Sequence, residues 1–162
     1  MGRVTFSKPR KLATDDDFSG FCCGNPDIDA WLRNRAVRAR RQGAAVTYVT
    51  TDSEGVVAGF YALSAISVSR AEVAGGWLRR NVPGQIPCVL LGMLGVDERF
   101  KGKGLGAQLL RDAVMRSMAA ADVIGARAMV VDPADEQARS FYKHYGFRDL
   151  LGTECMYIPL TP

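Results

Sequence analysis

The apolar positions in the first third of the chain recur with a helical period. Between residues 26 and 42 an apolar side chain returns every three or four positions, which predicts an amphipathic helix with one buried stripe. Its members are Ile28, Leu32, Ala36 and Ala39. Pro26 suits the first turn of this helix and Gly43 its C-terminal end.

After the helix the apolar pattern changes to that of strands. Residues 44–51 and 56–68 are rich in Val, Tyr, Phe and Ile and are joined by an Asp-Ser-Glu-Gly turn, which predicts a β-hairpin. Residues 70–87 contain three glycines and two prolines and predict an irregular excursion that includes a short helix.

The second half of the chain alternates strands and helices. Residues 88–96 are nearly all apolar, which predicts a strand buried on both faces. The remaining predicted elements are a helix at 105–121, a buried strand at 126–132, a helix at 136–145 and two strands near 146–151 and 154–160. This order predicts an α/β protein with a mixed sheet, and no linker or repeat divides residues 1–162, so we expect a single domain.

Composition places the chain among ordinary globular proteins. Its 48% hydrophobic and 23% charged residues suit one domain, and no apolar run is long enough to span a membrane. The N-terminus lacks the apolar core of a secretory signal, so we expect a cytoplasmic protein. The four cysteines lack C-x-x-C spacing and are expected to be small buried residues, without disulfides or a metal: Cys22, Cys23, Cys88 and Cys155.

Positive charge is concentrated on the first predicted helix. The net charge is only +4, but the segment from Ala30 to Gly43 carries five arginines and no acid. They are Arg33, Arg35, Arg38, Arg40 and Arg41. Together with Arg79, Arg80 and a basic group near the N-terminus, they predict a phosphate-contacting surface, against the alternative of a solvated helix face.

A glycine-rich turn lies between the apolar strand and the next helix. Glycines allow close backbone approach to an anion, and the free N–H groups of a helix N-terminus favour phosphate. The segment from Lys101 to Gly106 lacks the Gly-Lys-Ser/Thr of a Walker A loop. It does fit the G-x-G-x-x-G/A fingerprint of dinucleotide folds, with Asp132 as the ribose acid, although too few residues follow for the second half of such a fold. This interpretation remains the alternative.

Two motifs in the second half resemble those of the GNAT acetyltransferase superfamily. Arg99, Gly102 and Gly104 meet the pyrophosphate pattern R/Q-x-x-G-x-G/A, and about 35 residues later the segment from Ala138 to Phe147 resembles the A-x-x-F-Y-x-x-x-G-F ending. The resemblance implies a GNAT fold, in which helices flank a central mixed sheet and a pyrophosphate-binding turn opens a helix.

Further segments resemble the GNAT-type toxins of bacterial toxin-antitoxin pairs. They are D-x-W-L from Asp29, A-G-F-Y-A-L at 58–63, L-R-R-N-x-P at 78–83 and G-K-G-L-G-x-x-L-L-x-D-A-V-x-R at 102–116. One position departs from that pattern, because an Arg often precedes the Leu-Ala-Val of the central strand, where this chain has Met93.

The resemblance assigns candidate roles to individual residues. It places acetyl-CoA, as co-substrate, along the central strand and the glycine-rich turn. The cofactor-binding residues are then Met93, Leu94, Gly95, Val96, Lys101, Gly102, Lys103, Gly104, Leu105 and Gly106. Tyr142 occupies the motif position of the general acid that protonates the departing thiolate. The candidate tRNA-binding residues are Arg33, Arg38, Arg40, Arg41, Arg79 and Arg80.

The lack of an evident general base bears on the substrate. An α-amine, with a pKa of about 7.7 to 8.0, is partly neutral at cellular pH, whereas a lysine amine at about 10.4 is almost wholly protonated. The only histidine, His144, lies near a predicted helix C-terminus, where surface capping is the simpler role. The missing base therefore favours an α-amino substrate.

The resemblance implies a toxin that acetylates the amino group of aminoacyl-tRNA and blocks translation. Its implied partners are aminoacyl-tRNA and a cognate antitoxin, a small DNA-binding protein, and a homodimer is compatible with it. Two other functions stay open at this point. One is N-acetylation of a small amine or a protein N-terminus; the other is a basic RNA-binding or partner-binding module that retains a vestigial acyl-CoA fold.

Overall fold

The computed structural model describes residues 5–73 and 77–160. Within them the chain forms a mixed seven-stranded sheet flanked by helices, with the order β1-β2-β3-β4-β5-β7-β6. The strands are β1 Arg10–Lys11, β2 Val46–Thr51, β3 Val57–Ser69, β4 Gln85–Val96, β5 Ala128–Val131, β6 Arg148–Asp149 and β7 Met156–Pro159. The helices are α1 Pro26–Asn34, α2 Ala36–Arg41, α3 Leu105–Ile124 and α4 Glu136–His144. The predicted fold class is confirmed.

Strand directions distinguish this sheet from a dinucleotide-binding one. β4 pairs in parallel with β5, whereas β5 pairs antiparallel with β7 and β6 pairs antiparallel with β7. A dinucleotide fold continues with parallel strands on that side. The alternative interpretation of the glycine-rich turn is therefore wrong.

The chain groups into two compact units. The first contains residues 1–64 and 93–113, and the second contains residues 65–92 and 114–162. β3 and β4 each contribute residues to both units.

In the first unit, the predicted helix over residues 26–42 is two helices. Asn25 caps α1, because its Oδ1 accepts hydrogen bonds from the N–H groups of Asp27 and Ile28 at 3.0 and 3.4 Å. α1 stops at Arg35, whose φ of −125° is outside the helical range although its N–H still donates to the Trp31 carbonyl. The prediction of one continuous helix was wrong, because the break occurs at an arginine without Pro or Gly.

Both short helices bury part of the predicted stripe. Leu32 and Ala36 are fully buried, whereas Ile28 and Ala39 are half-buried. They pack in a core whose buried members are Phe21, Cys23, Leu32, Ala36, Val49, Val57 and Phe60. Trp31 stacks parallel to Phe60 with 6.2 Å between ring centroids. Burial of each large side chain contributes about 1.5 to 3 kcal/mol.

The predicted hairpin is confirmed. β2 and β3 are antiparallel, from the pair Val46 and Leu63 to the pair Thr51 and Val57. Asp52 shapes the turn by accepting hydrogen bonds from two backbone N–H groups that follow it. β1 was not predicted, since it consists of only two basic residues and exists by pairing with β2.

The second unit has its own apolar cluster. Its buried members are Val73, Leu78, Ile86, Cys88, Ala128, Val130, Leu150 and Tyr157. β5 is buried along its whole length, but the first residues of β4 alternate between exposed and buried. The exposed positions Gln85 and Pro87 precede the predicted strand. Within its range 88–96 three residues are buried, five are half-buried and Gly92 is exposed, so burial on both faces is confirmed only in part.

The irregular excursion is partly confirmed. It contains short 3₁₀ helices at Arg70–Glu72 and Trp77–Arg79, and its last residues belong to β4. Residues 74–76 of this segment lie outside the described residues. Among the helices that the structure describes, none is both long and apolar enough to cross a membrane.

The four cysteines are free thiols. Cys23 and Cys88 are buried, and burial raises the pKa of each thiol to about 11, which keeps both protonated and unreactive. Cys155 is half-buried. Cys22 is exposed, so the expectation that all four are buried was wrong at that position.

Candidate active site

The C-terminal part of β4 extends beyond its pairing with β5. The parallel register runs from Cys88 to Leu91, and β4 continues for five further residues to Val96. Four of these five residues, Met93–Val96, are predicted cofactor-binding residues. β5 does not pair with this part of β4. The backbone N–H and C=O groups of this part can therefore bind an extended ligand.

Close packing favours glycine at Gly95. A Cβ at this position would lie 3.1 Å from Cγ2 of Ile28 and 3.3 Å from Cε1 of Phe60. α1 and the Phe60 ring therefore approach the strand closely at this residue. Met93, which stands where related toxins were expected to have Arg, packs against the apolar cluster of the first unit.

The glycine-rich turn has the backbone conformation of an anion-binding loop. Gly102 and Gly104 have φ of +79° and +81°, which side chains other than glycine rarely adopt. A Cβ at either position would meet nothing within 4 Å, so the backbone angle, rather than lack of space, requires glycine. α3 begins at Leu105, directly after this turn, and its first N–H groups follow the two glycines.

A buried carboxylate supports the start of the turn. Asp97 is 1% exposed and forms two hydrogen bonds with the Arg99 guanidinium, at 2.9 and 3.1 Å. It also accepts from the N–H groups of Arg99 and Cys22. Burial alone would raise the pKa of Asp97, but these hydrogen bonds and the charge of Arg99 hold it below its ordinary value. Arg99 therefore acts first as a structural partner of Asp97.

Replacing Asp97 with asparagine should destabilise the protein by about 1 to 3 kcal/mol at pH 7, because buried donors lose a charged acceptor. Since the folded-state pKa is lowered, the carboxylate stabilises the fold above its unfolded pKa of about 3.9, and this stabilisation is lost as pH falls through the folded pKa. Denaturant unfolding of both proteins from pH 7 to pH 3 tests this. The difference in unfolding free energy between the two proteins should narrow below about pH 4. A difference that stays constant with pH would contradict a stabilising role of the Asp97 carboxylate.

The two lysines of the turn differ. The Lys101 ammonium donates to the Cys23 carbonyl at 2.7 Å, which fixes the turn to the segment before α1. Both lysines are exposed residues. The Lys101 ammonium is held by this hydrogen bond, so its contribution to anion binding would come from its backbone. The contacts of Asp97 with Cys22 and of Lys101 with Cys23 were not predicted, because each joins residues more than 70 positions apart in the sequence.

Tyr142 lies in the second unit, on α4. Asp135 caps this helix through the N–H of Ala138 at 2.7 Å. The Tyr142 ring is 7% exposed and packs against Phe141 and Phe147, with centroids 5.4 and 5.3 Å away. Burial raises the pKa of the phenol well above its ordinary value, so the hydroxyl keeps its proton at physiological pH.

Contacts on either side of Tyr142 fix the helix. Arg139 donates to the Asp149 carboxylate at 2.8 Å and to the Glu154 carbonyl at 2.6 Å. Phe147 N–H donates to the Tyr142 carbonyl at 3.1 Å. His144 is the last residue of α4 and is exposed, with its ring against Tyr145, which agrees with a surface position at the helix end.

The candidate tRNA-binding arginines are distributed over both units. Those of α1 and α2 are exposed, and Arg33 also donates to the Phe21 carbonyl at 2.7 Å. In the second unit Arg79 is half-buried, whereas Arg80 is exposed and its carbonyl accepts from Arg127. The cofactor-binding residues belong to the first unit and Tyr142 to the second.

Comparison with known proteins agrees with the motifs. Residues 43–149 match the acetyltransferase (GNAT) domain family. A tRNA-acetylating toxin of Mycobacterium tuberculosis (strain ATCC 25618 / H37Rv) is 44% identical over 142 residues, which cover 88% of this chain and 84% of that protein.

Solved structures of the toxin AtaT have the same fold. AtaT complexed with acetyl-methionyl-tRNAfMet is 27% identical with a TM-score of 0.85, covering 97% of this chain and 95% of that one. A tyrosine-to-phenylalanine mutant of AtaT, bound to acetyl-CoA and to the C-terminus of the antitoxin AtaR, is 26% identical with a TM-score of 0.80, covering 98% and 94%. An AtaT–AtaR complex bound to DNA is 26% identical with a TM-score of 0.76, covering 96% and 94%. The chain therefore belongs to the GNAT acetyltransferase family and is a homologue of a tRNA-acetylating toxin.

Proposed function

We propose that this protein is an acetyl-CoA-dependent N-acetyltransferase that modifies the amino group of aminoacyl-tRNA and thereby acts as a toxin that blocks translation. The observation that carries the proposal is the 44% identity to a tRNA-acetylating toxin over most of both chains. The positions of the two motifs also support it. The glycine-rich turn lies between β4 and α3, and Tyr142 of the second motif lies on α4.

Acetyl-CoA supplies the acetyl thioester. We assign its pantetheine arm to the backbone of Met93–Val96, which extends beyond the β5 register. We assign its pyrophosphate to the N–H groups of Lys101–Gly106, where two positive-φ glycines precede the first turn of α3. The Leu105 side chain at the start of α3 is buried, so only its backbone could contact the ligand. Lys103 adds an exposed positive charge to this turn.

The reaction needs alignment and one well-placed proton. The neutral α-amine attacks the thioester carbonyl, the new C–N bond forms, and the C–S bond then breaks with its electron pair on sulfur, while the nitrogen, positively charged after the attack, releases one proton to solvent. Tyr142 is assigned from its motif position as the acid that gives the thiolate a proton and then regains one from solvent; burial keeps its hydroxyl protonated before the step. Part of the α-amine is neutral near pH 7.5, so a dedicated base is not required for attack.

The arginines of α1 and α2 are assigned to the tRNA phosphates. All four candidates there are exposed, and Arg38, Arg40 and Arg41 belong to a helix of six residues that contains no acid. Arg79 and Arg80 are assigned to the same role from the second unit. Such contacts recognise the RNA backbone without reading its sequence.

Replacing Arg38 and Arg41 with glutamine should weaken tRNA binding and its dependence on salt. Each phosphate contact contributes about 0.7 to 0.9 to the slope of log affinity against log salt, so the double variant should lose up to about 1.4 to 1.8. The apparent KM for aminoacyl-tRNA should rise, whereas acetyl-CoA affinity should not change. If the double variant has the same slope of log affinity against log salt as the wild type, these arginines form a solvated helix face. If the substrate affinity of the wild type does not depend on salt, a small amine is favoured as the substrate.

The proposal includes an antitoxin and a place of action. We propose that a DNA-binding antitoxin neutralises this protein, as the relationship to the AtaT–AtaR pair suggests. We place the activity in the cytoplasm, where aminoacyl-tRNA and acetyl-CoA meet. A homodimer and the organisation of residues 1–162 as a single acetyltransferase domain stay predictions.

Cell-free translation tests this function as a whole. Catalytic amounts of the protein should stop protein synthesis when acetyl-CoA is present and leave it unaffected when acetyl-CoA is removed. Arrest that does not depend on acetyl-CoA would instead indicate an RNA-binding module with a vestigial acyl-CoA fold.

A further inference from the structure

Two different helices cover the two faces of the sheet next to the C-terminal end of β4. Phe60 of β3 stacks on Trp31 of α1, with 6.2 Å between the ring centroids. Its neighbour Gly59 faces the other way, because successive residues of a strand point to opposite faces. A Cβ at Gly59 would lie 2.8 Å from Cδ1 of Leu109 on α3. α1 therefore packs on one face and α3 on the other.

Met93 lies on the face that α1 covers. A Cβ at Gly95 would meet Cγ2 of Ile28 on α1, and Met93 is two residues earlier in the same strand, so the two positions share a face. Met93 also packs against the apolar cluster that contains Phe60. Met93 and Ile28 are both half-buried, so each keeps part of its side chain accessible. The accessible surface that they contribute beside the end of β4 is apolar.

This apolar surface lies where the proposed reaction brings the acceptor. The pantetheine arm is assigned to the backbone of Met93–Val96, and most arginines assigned to tRNA belong to α1 and α2, which pack on the same face. α3 covers the opposite face, so the aminoacyl end reaches the thioester from the α1 side. The carbon that carries the attacking amine also carries the amino-acid side chain. That side chain therefore comes next to Met93.

The chemistry of this surface favours an apolar side chain. Met93 offers a flexible, polarizable thioether that adapts to several shapes, and Ile28 offers an aliphatic chain. Asp29, which follows Ile28, is 5% exposed and accepts from the Cys23 N–H at 2.8 Å, so its carboxylate serves the protein interior. A polar side chain would lose water here without a compensating hydrogen bond, whereas an apolar one gains by leaving water.

We infer that Met93 and Ile28 form the subsite for the side chain of the aminoacyl group, and that Met93 is a specificity-determining residue that favours apolar aminoacyl groups. The inference rests on the proposed function and deepens it, because it names the class of aminoacyl-tRNA that is modified. The backbone of Met93 keeps its assignment to acetyl-CoA, and the side chain serves the acceptor.

The preference is measured with one tRNA that is charged with either leucine or asparagine. The two side chains have nearly the same branched shape and the RNA is identical, so the comparison isolates polarity. Both substrates compete in one reaction with labelled acetyl-CoA, and the products give the ratio of their kcat/KM values. The wild type should favour leucine by about tenfold or more. A change in folding or in acetyl-CoA affinity acts on both substrates equally and leaves this ratio unchanged.

Met93→Gln tests the side chain, because glutamine is unbranched and of similar length but polar. The leucine preference should fall about tenfold, to near equality, whereas Met93→Leu should keep it. Leu12→Gln is the matched control, since Leu12 is half-buried and packs against the same cluster, but its N–H donates to Thr47 of β2 and it has no part in the assigned site. This control should lower the melting temperature and leave the ratio unchanged.

Ile28→Thr provides a second test of the subsite. Threonine keeps the branched shape and adds a hydroxyl, so the leucine preference should fall here as well. This variant decides if Met93→Gln does not fold. A wild type without a preference for leucine would overturn the inference, and so would a folded Met93→Gln protein with the wild-type ratio. An equal fall in Leu12→Gln would also overturn it, because the effect would then belong to the core as a whole.

Leucine amide and asparagine amide separate this inference from the proposed function. They carry the same side chains and a free α-amine without RNA. Transfer to the amides with the Met93-dependent preference, but to neither charged tRNA, would refute the proposed function and support the subsite. Equal transfer to both charged tRNAs would support the proposed function and refute the subsite. No transfer to any of these acceptors would refute both.

Discussion

Replacing Tyr142 with phenylalanine is expected to lower the rate of acetyl transfer about 10²- to 10⁴-fold, the usual contribution of a general acid. The change removes one hydroxyl and keeps the ring contacts with Phe141 and Phe147. Acetyl-CoA affinity and the melting temperature should therefore stay close to those of the wild type. Single-turnover transfer from bound acetyl-CoA measures the effect without interference from product release.

Tyr145 provides the matched control for this change. It follows α4 and is 43% exposed, so Tyr145→Phe should transfer acetyl groups at the wild-type rate. Burial raises the pKa of Tyr142, so its hydroxyl stays protonated at every pH at which the aminoacyl ester survives. Wild-type transfer should therefore show no loss on the alkaline side of that range. A Tyr142→Phe rate within threefold of the wild type would exclude Tyr142 as the acid.

Replacing Gly104 with valine is expected to abolish acetyl-CoA binding. The φ of +81° at this residue is strained for any side chain and most strongly for a β-branched one. The turn would have to rearrange, and the N–H groups assigned to the pyrophosphate would change direction. A Cβ at Gly104 would meet no protein atom within 4 Å, so the strain within the protein comes from the backbone angle. The added side chain would also hinder the close approach of the pyrophosphate to the backbone.

A graded series at this position separates backbone strain from bulk. Asparagine tolerates a positive φ better than other side chains, so affinity should fall in the order Gly, Asn, Ala, Val. Gly20→Val is the control in the same unit, since Gly20 has open space around it and no positive φ. Calorimetric titration with acetyl-CoA measures each affinity. Near-normal binding by a folded Gly104→Val protein would contradict the assignment.

The elements that follow from local pattern were predictable from the sequence. The 88–96 strand, the glycine-rich turn, α3 and α4 all appear near their predicted positions, because apolar period and turn residues determine them locally. The break at Arg35 was not predictable, because no Gly or Pro marks it. β1 could not be found either, since two basic residues form a strand only by pairing with Val49 and Tyr48.

The same distinction between local motifs and tertiary contacts applies to the residues of the candidate site. Gly102, Gly104 and Tyr142 were found because their roles depend on residue type within a short motif. The contacts of Asp97 with Cys22 and of Lys101 with Cys23 join residues 75 and 78 positions apart. Such contacts arise from the tertiary fold and leave no local signal.

Chemical identification of the acetylated product tests the central claim most directly. The protein is incubated with labelled acetyl-CoA and total aminoacylated tRNA, and the aminoacyl ester is then hydrolysed with mild base. The account predicts that the label is released as N-acetylated amino acid, and that tRNA deacylated beforehand accepts none. Label that remains on the RNA after hydrolysis, or that appears only on free amines or protein N-termini, would contradict it.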